Sequence, residues 1–187
     1  FCQFLEVDSN LGFDWFHMYF QDESADRTKL KQDFTPQSIA DIVNKIVVGD
    51  EISESDNYLE VAAGTGGLVI THWDNQRKKQ TPITYKPSEH FHHVEEISDR
   101  AMPFLLFNLM IRGMNAVVIH GDTLNRDAKG IFFIQNETDD SLGFSSLNVL
   151  PYSIEIEKEF NVKFDGRYYP EYVESKGIPA HILDKLK

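Results

Sequence analysis

Apolar positions recur along this chain with two periods, and the switches between them outline its elements. Pro36 opens the run PQSIADIVNKIVV, in which Ile39, Ile42, Val43 and Ile46 fall on one helical face. Thr35 is placed to cap that helix, with Pro36 at its first position. Short β-branched runs predict strands over 57–61, 90–95, 116–120, 131–134 and 144–149. Between the first three lie helical patterns, one over 67–76. The other is capped by Ser98, carries Met102, Leu105, Leu106 and Leu109 on one face, and is ended by Gly113. Before all of these, the first 20 residues are apolar and aromatic, and a short helix from Asp14 is expected to pack on the core. Residues 21–33 are charged, 49–56 form an acidic loop, and 77–89 hold Pro82 and Pro87 in a polar connection. Residues 154–160 read as a solvated helix or strand, and the tail from 164 onward carries Tyr168, Tyr169 and Tyr172 without a motif.

Strand, helix, strand, helix, strand is the order of a parallel sheet joined by right-handed crossovers, so the expected class is α/β and doubly wound. Ligands of such sheets bind beyond the carboxyl ends of the strands. The turns to inspect are therefore 62–67, 95–99, 121–124 and 150–153.

Composition narrows the possibilities. The 187 residues suffice for one domain with a sizeable core. No apolar run approaches the roughly 20 residues that span a bilayer, and no signal peptide opens the sequence. Cys2 is the single cysteine, which excludes an internal disulfide and fits a reducing cytoplasm. Thirty acids against 18 bases give a net charge of -12, a poor balance for a general binder of phosphate backbones. A role on DNA would need a basic patch or a basic partner subunit. His90, His92 and His93 put two imidazoles on one strand face, short of the three or four ligands of a zinc site, so no metal is expected.

The stretch LEVAAGTGGLVI, residues 59–70, carries the candidate chemistry. Without Cβ atoms, Gly64 and Gly66 let the chain turn tightly and let a ligand touch the backbone. A Walker phosphate loop requires a second glycine followed by Lys, but Val69 stands there and no Lys follows. The dinucleotide pattern G-x-G-x-x-G meets the same Val69. S-adenosylmethionine fits better, because it carries no phosphate. It needs close backbone approach for its methionine end and acids at the next strand ends for its ribose and adenine. Glu96 and Asp122 stand at those places, and an ionised carboxylate is a pure acceptor for ribose hydroxyls. Each residue also has a plainer reading. The glycines alone make a tight strand-to-helix turn, the acids make caps or solvated loops, and Thr35-Pro36 a helix start.

Taken together, LEVAAGTGG, the upstream DFTP, EEISDRA and HGDTL resemble the N6-adenine DNA methyltransferases, in particular the modification subunits of type I restriction-modification systems. The resemblance runs over about residues 14–153 and implies a Rossmann-like class I S-adenosylmethionine-dependent methyltransferase fold, truncated after its fourth strand. It divides the chain into an N-terminal helical segment, 1–33, packing on a methyltransferase-like domain, 34–187. It implies that Phe34-Thr35-Pro36, with Gln32 just before, lies over the cofactor. Glu60, Ala62, Gly64, Thr65, Gly66 and Gly67 would form the cofactor turn, Glu96 would hold the ribose, and Asp122 would sit near the adenine. It implies DNA as substrate, a basic specificity subunit as partner, and homo- or hetero-oligomers. The family's Asn-Pro-Pro-Tyr catalytic motif corresponds to the end of Ser146-Leu147-Asn148-Val149-Leu150-Pro151-Tyr152-Ser153. Aligning Pro151 and Tyr152 puts Val149 in place of the Asn, with Asn148 one position early, where alternation on a strand reverses its direction. Asn148, the Leu150 carbonyl, Pro151 and Tyr152 are the catalytic candidates. A module that keeps the cofactor pocket but has lost methyl transfer is the competing expectation.

Overall fold

The computed structural model describes residues 11–17, 37–48, 56–81 and 84–177. In chain order these form α1 (Gln37–Val48), β1 (Asp56–Val61), α2 (Gly67–Lys79), β2 (His90–Glu96), α3 (Met102–Met110), β3 (Ala116–Asp122), β4 (Asp127–Gln135), β5 (Ser146–Val149), α4 (Ile154–Glu159) and β6 (Lys163–Phe164). The class is α/β, with a mixed, open sheet of six strands in the order β1-β2-β3-β4-β5 and β6 beside β4.

The sheet is parallel across β1, β2 and β3, as the alternation of elements predicts. Beyond β3 it turns antiparallel, because only a tight turn separates β3 from β4 and leaves no room for a crossover helix. A second antiparallel step brings β5 back to the direction of β1–β3. Strand β3 is buried along nearly its whole length, which explains why its apolar run does not alternate.

Two core clusters lie on opposite faces. On one, Val69 and Trp73 of α2 and Met102, Leu105 and Leu109 of α3 pack on Val94, Ala116, Val118, Phe132, Ile134 and Val149. Right-handed crossovers that advance in one direction place successive helices on one face, so α2 and α3 lie together. The other face gathers Val117, Ile119, Ala128, Ile131, Phe133 and Val162, with Ile156 of α4 against it. Helix α2 is buried almost all round, since α1 rests on it from outside. Gly113 ends the α3 region at φ +63°, where a side chain would also strike the Gly143 carbonyl.

Helix α1 forms, but Ile39, Ile42, Val43 and Ile46 are 38–77% exposed, while the small Ala40 is buried. Periodicity marks a face as apolar without saying what covers it. The outer face of β1 behaves likewise, with Leu59 and Val61 exposed and the carboxyl of Glu60 turned inward. Thr35 and Pro36, the expected cap, lie outside the described residues, as do Gln32 and Phe34. Among the described residues no helix is long and apolar enough to cross a membrane.

Candidate functional site

The glycine turn follows β1 directly. Ala63 extends the β1–β2 ladder by donating its N–H to the Glu95 carbonyl at 2.9 Å, and Gly66 closes the turn onto the Ala63 carbonyl at 2.9 Å. Three residues adopt the left-handed region: Ala62 at φ 65°, Gly64 at 59° and Gly66 at 102°. For Ala62 this conformation is strained, a state that persists only where surroundings enforce it. Gly67 is the first residue of α2.

Glu96 ends β2 on the face covered by α2 and α3, and it ties two turns together. The Gly64 N–H donates to Oε2 at 2.6 Å, and the Ser98 N–H donates to Oε1 at 2.7 Å. The carboxylate has further lone pairs for a ligand. Exposed Ile97 stands immediately beyond it. Glu60 lies behind the turn. Burial pushes its carboxyl up to about 7, although the Tyr58 hydroxyl donates to it at 3.0 Å and the Val69 N–H also bonds it.

The neighbouring acid points the other way. Glu95 takes both bonds of a fork from Arg126 Nη1, at 3.0 and 2.9 Å. Arg126 also donates to the Asn161 and Phe160 carbonyls at 3.0 and 2.9 Å. Burial would raise the Glu95 carboxyl, but Thr123 and Arg126 hold it below the usual carboxylate range. The Glu95-Glu96 pair thus serves both faces of the sheet, as alternation requires.

Asp122 stands at the tip of β3, paired with Asp127 across the hairpin. Its carboxylate closes its own turn, accepting the Leu124 and Asn125 N–H groups at 2.9 and 3.2 Å and the Asn125 amide at 2.8 Å. Gly64, Glu96 and Asp122 therefore occupy the same end of three adjacent strands. Gly64 and Glu96 touch, whereas Asp122 is held by its hairpin.

The candidates on β5 sit elsewhere. Four strand spacings separate β5 from β1, roughly 19 Å at about 4.8 Å each. The β4–β5 register is continuous from Gln135↔Ser146 to Phe132↔Val149, with no bulge to turn Asn148. Asn148 holds the tail instead: its amide donates to the Phe133 carbonyl at 3.1 Å and to Ser175 at 2.8 Å, and its oxygen accepts the Glu174 and Ser175 N–H groups. Val149 points to the Glu96 face and joins its core. The Leu150 N–H continues the ladder to Ile131, and Pro151 is exposed. Tyr152 donates to the Lys129 carbonyl at 2.9 Å and accepts the Tyr169 N–H at 3.0 Å.

Sequence reasoning missed three contributors. His120, one strand over from Glu96 in register, is 1% exposed and contacts the Tyr169 hydroxyl through Nδ1. Burial, then the Lys129 ammonium, holds this imidazole below its ordinary range, against the pull of Asp99. Tyr169 reaches it across Gly130, where any side chain would meet the ring. The third contributor is Asp14, whose carboxylate bonds Thr65 in the glycine turn. His120 opens the HGDTL stretch, where only the acid drew attention, and no short motif marks Asp14 or Tyr169. His90 and His92 behave as core groups, while the partly exposed His93 contacts Glu95. Burial drives His92 down to about 3, its ring bonds the Asn115 carbonyl, and among the described residues no cluster suited to a metal occurs.

No protein-family model matches this chain, and no curated protein or solved structure matches it either.

Proposed function

We propose that the carboxyl end of β1 and β2 binds S-adenosylmethionine, and that the protein is an adenine-N6 DNA methyltransferase of the type I modification-subunit kind. The observation carrying the reading is the 2.6 Å contact between the Gly64 N–H and Glu96. It joins a bare turn and a carboxylate at adjacent parallel strand ends, where ligands of such sheets bind. The amides around Gly64–Gly67 would face the methionine end. Glu96 would accept from ribose hydroxyls, and exposed Ile97 offers the adenine an apolar seat. The cofactor would supply an electrophilic methyl on sulfur. That methyl would go in line to the adenine amine, with loss of the thioether and release of the amine's proton to solvent. Positioning provides most of the rate. With a net charge of -12, the chain would rely on a basic specificity subunit to reach DNA.

One observation favours a second reading, a binding module without methyl transfer: Asn148 spends its side chain on the tail, four strands from the glycine turn. Calorimetric titration with S-adenosylmethionine, followed by labelled cofactor, adenine-containing DNA and a supplied specificity subunit, separates the two. Binding heat with labelled DNA supports the enzyme. Heat without label supports the module, and no heat rejects both.

A further inference from the structure

The glycine turn is held from below by a segment far away in sequence. The Thr65 hydroxyl donates to Asp14 Oδ2. The Asn108 amide of α3 bridges the pair, donating to Asp14 Oδ1 at 2.9 Å and to the Thr65 carbonyl at 2.8 Å. Both polar groups of Thr65 that face inward are thereby fixed. The Phe16 N–H gives Asp14 a further bond at 3.0 Å. Arg112 then locks the layer beneath: Nη1 donates to the Asn108 side-chain and backbone oxygens at 2.9 and 2.7 Å, while Nε and Nη2 take the Leu11 and Phe13 carbonyls at 2.8 and 2.9 Å. Asp14, Thr65, Asn108 and Arg112 are each at most 2% exposed.

We infer that Asp14 is a positioning residue of the ligand site, setting the glycine turn through the Thr65 hydroxyl and carbonyl. The turn needs such a tether. Ala62 is strained, and Gly64 and Gly66 on either side of Thr65 have the freedom to relax out of their left-handed conformations. With Thr65 pinned, the Gly64 N–H stays aimed at Glu96. Without it, a ligand would have to order the turn as it binds, and affinity falls by that cost. Residues 11–17 thus belong to the site functionally although they line none of it.

The ligand arm of the test rests on the S-adenosylmethionine reading; a second arm does not. Amide hydrogen exchange of residues 62–70 is followed in the ligand-free wild type, Thr65→Val, Thr65→Ser and Asp14→Ala, with residues 117–119 of β3 as internal reference. S-adenosylmethionine affinity is then measured by calorimetry on the same proteins. Thr65→Val and Asp14→Ala are expected to speed exchange in the turn about tenfold. The β3 reference should be unchanged, and the dissociation constant should rise by a similar factor. Thr65→Ser, which keeps the hydroxyl, restores both. Equal acceleration of turn and β3, or unchanged exchange in Thr65→Val, overturns the inference, as does a faster turn with unaltered affinity. If the wild type gives no binding heat, the cofactor reading fails, and the exchange arm alone decides whether Asp14 sets the turn.

Discussion

Replacing Glu60 by Gln should stabilise the protein at neutral and alkaline pH but not in acid. The carboxyl is 8% exposed, and burial raises it from 4.5 to about 7, with the nearby Glu96 charge adding to the rise. Below about pH 4.5 folded and unfolded chains both hold the proton, and the group costs nothing. Between 4.5 and about 7 the folded chain binds more protons than the unfolded one, so stability falls as pH rises; above that the loss is complete. At about 1.4 kcal/mol per tenfold change in proton affinity, the full loss is on the order of 3 kcal/mol, a large share of a typical domain's stability. Gln cannot ionise and keeps one acceptor for the Tyr58 hydroxyl or the Val69 N–H. Its missing acceptor costs about 1 kcal/mol at every pH. The assay is urea unfolding of both proteins from about pH 4 to about pH 8. The variant's advantage should grow by about 3 kcal/mol across that range. Because His92 and the other groups titrate in both proteins, the difference isolates Glu60. A difference that stays flat with pH would refute a buried, proton-holding carboxyl behind the turn.

Arg126→Ala removes the fork from Glu95, which is 4% exposed, and should cost about 2 kcal/mol in urea unfolding, discounted because Arg126 itself is 30% exposed. Tyr169→Phe leaves the buried His120 Nδ1 without its hydroxyl partner and should cost about 1–3 kcal/mol by the same measurement. The His92 imidazole, depressed to about 3 from 6.5, should keep its neutral nitrogen chemical shifts in the folded protein at about pH 5; the fold correspondingly loses stability as pH falls below 6.5. Val149→Asn buries an amide in the core on the side of α2 and α3 and should cost about 2 kcal/mol in urea unfolding; an unchanged stability would contradict that placement of Val149.

Local signals were the legible ones. The glycine turn announced itself because backbone conformations such as φ 102° at Gly66 demand a particular residue, and the acid after β2 because it closes a strand of clear pattern. What covers a face was not legible. The stripe Ile39, Ile42, Val43 and Ile46 falls on one helical face, yet it is exposed and the small Ala40 is buried. Strand direction was hidden as well: parallel and antiparallel strands share a period of two, and only the shortness of the 123–126 connection betrays that β4 returns antiparallel. Asp14 could not be found by motif, since its partners Thr65 and Asn108 lie 51 and 94 positions away.

The placement of the β5 residues relative to the glycine turn resolves on a point of parity. Glu96, His120 and Val149 face the same side of the sheet, the side of α2 and α3, because each sits an even number of positions from a residue of that core. A side chain that is to work on a ligand held by Glu96 must share that parity. Val149 does, and it is apolar. Asn148 is polar and does not. Moving Asn148 to the other face would require a bulge in β5, and the unbroken β4–β5 register contains none. The tail makes such a shift costly, since Glu174 and Ser175 would lose the Asn148 oxygen that now satisfies their N–H groups. The glycine turn and the Asn148 side chain therefore lie apart on physical grounds: one stands at the ends of β1 and β2, the other is built into the packing of the tail.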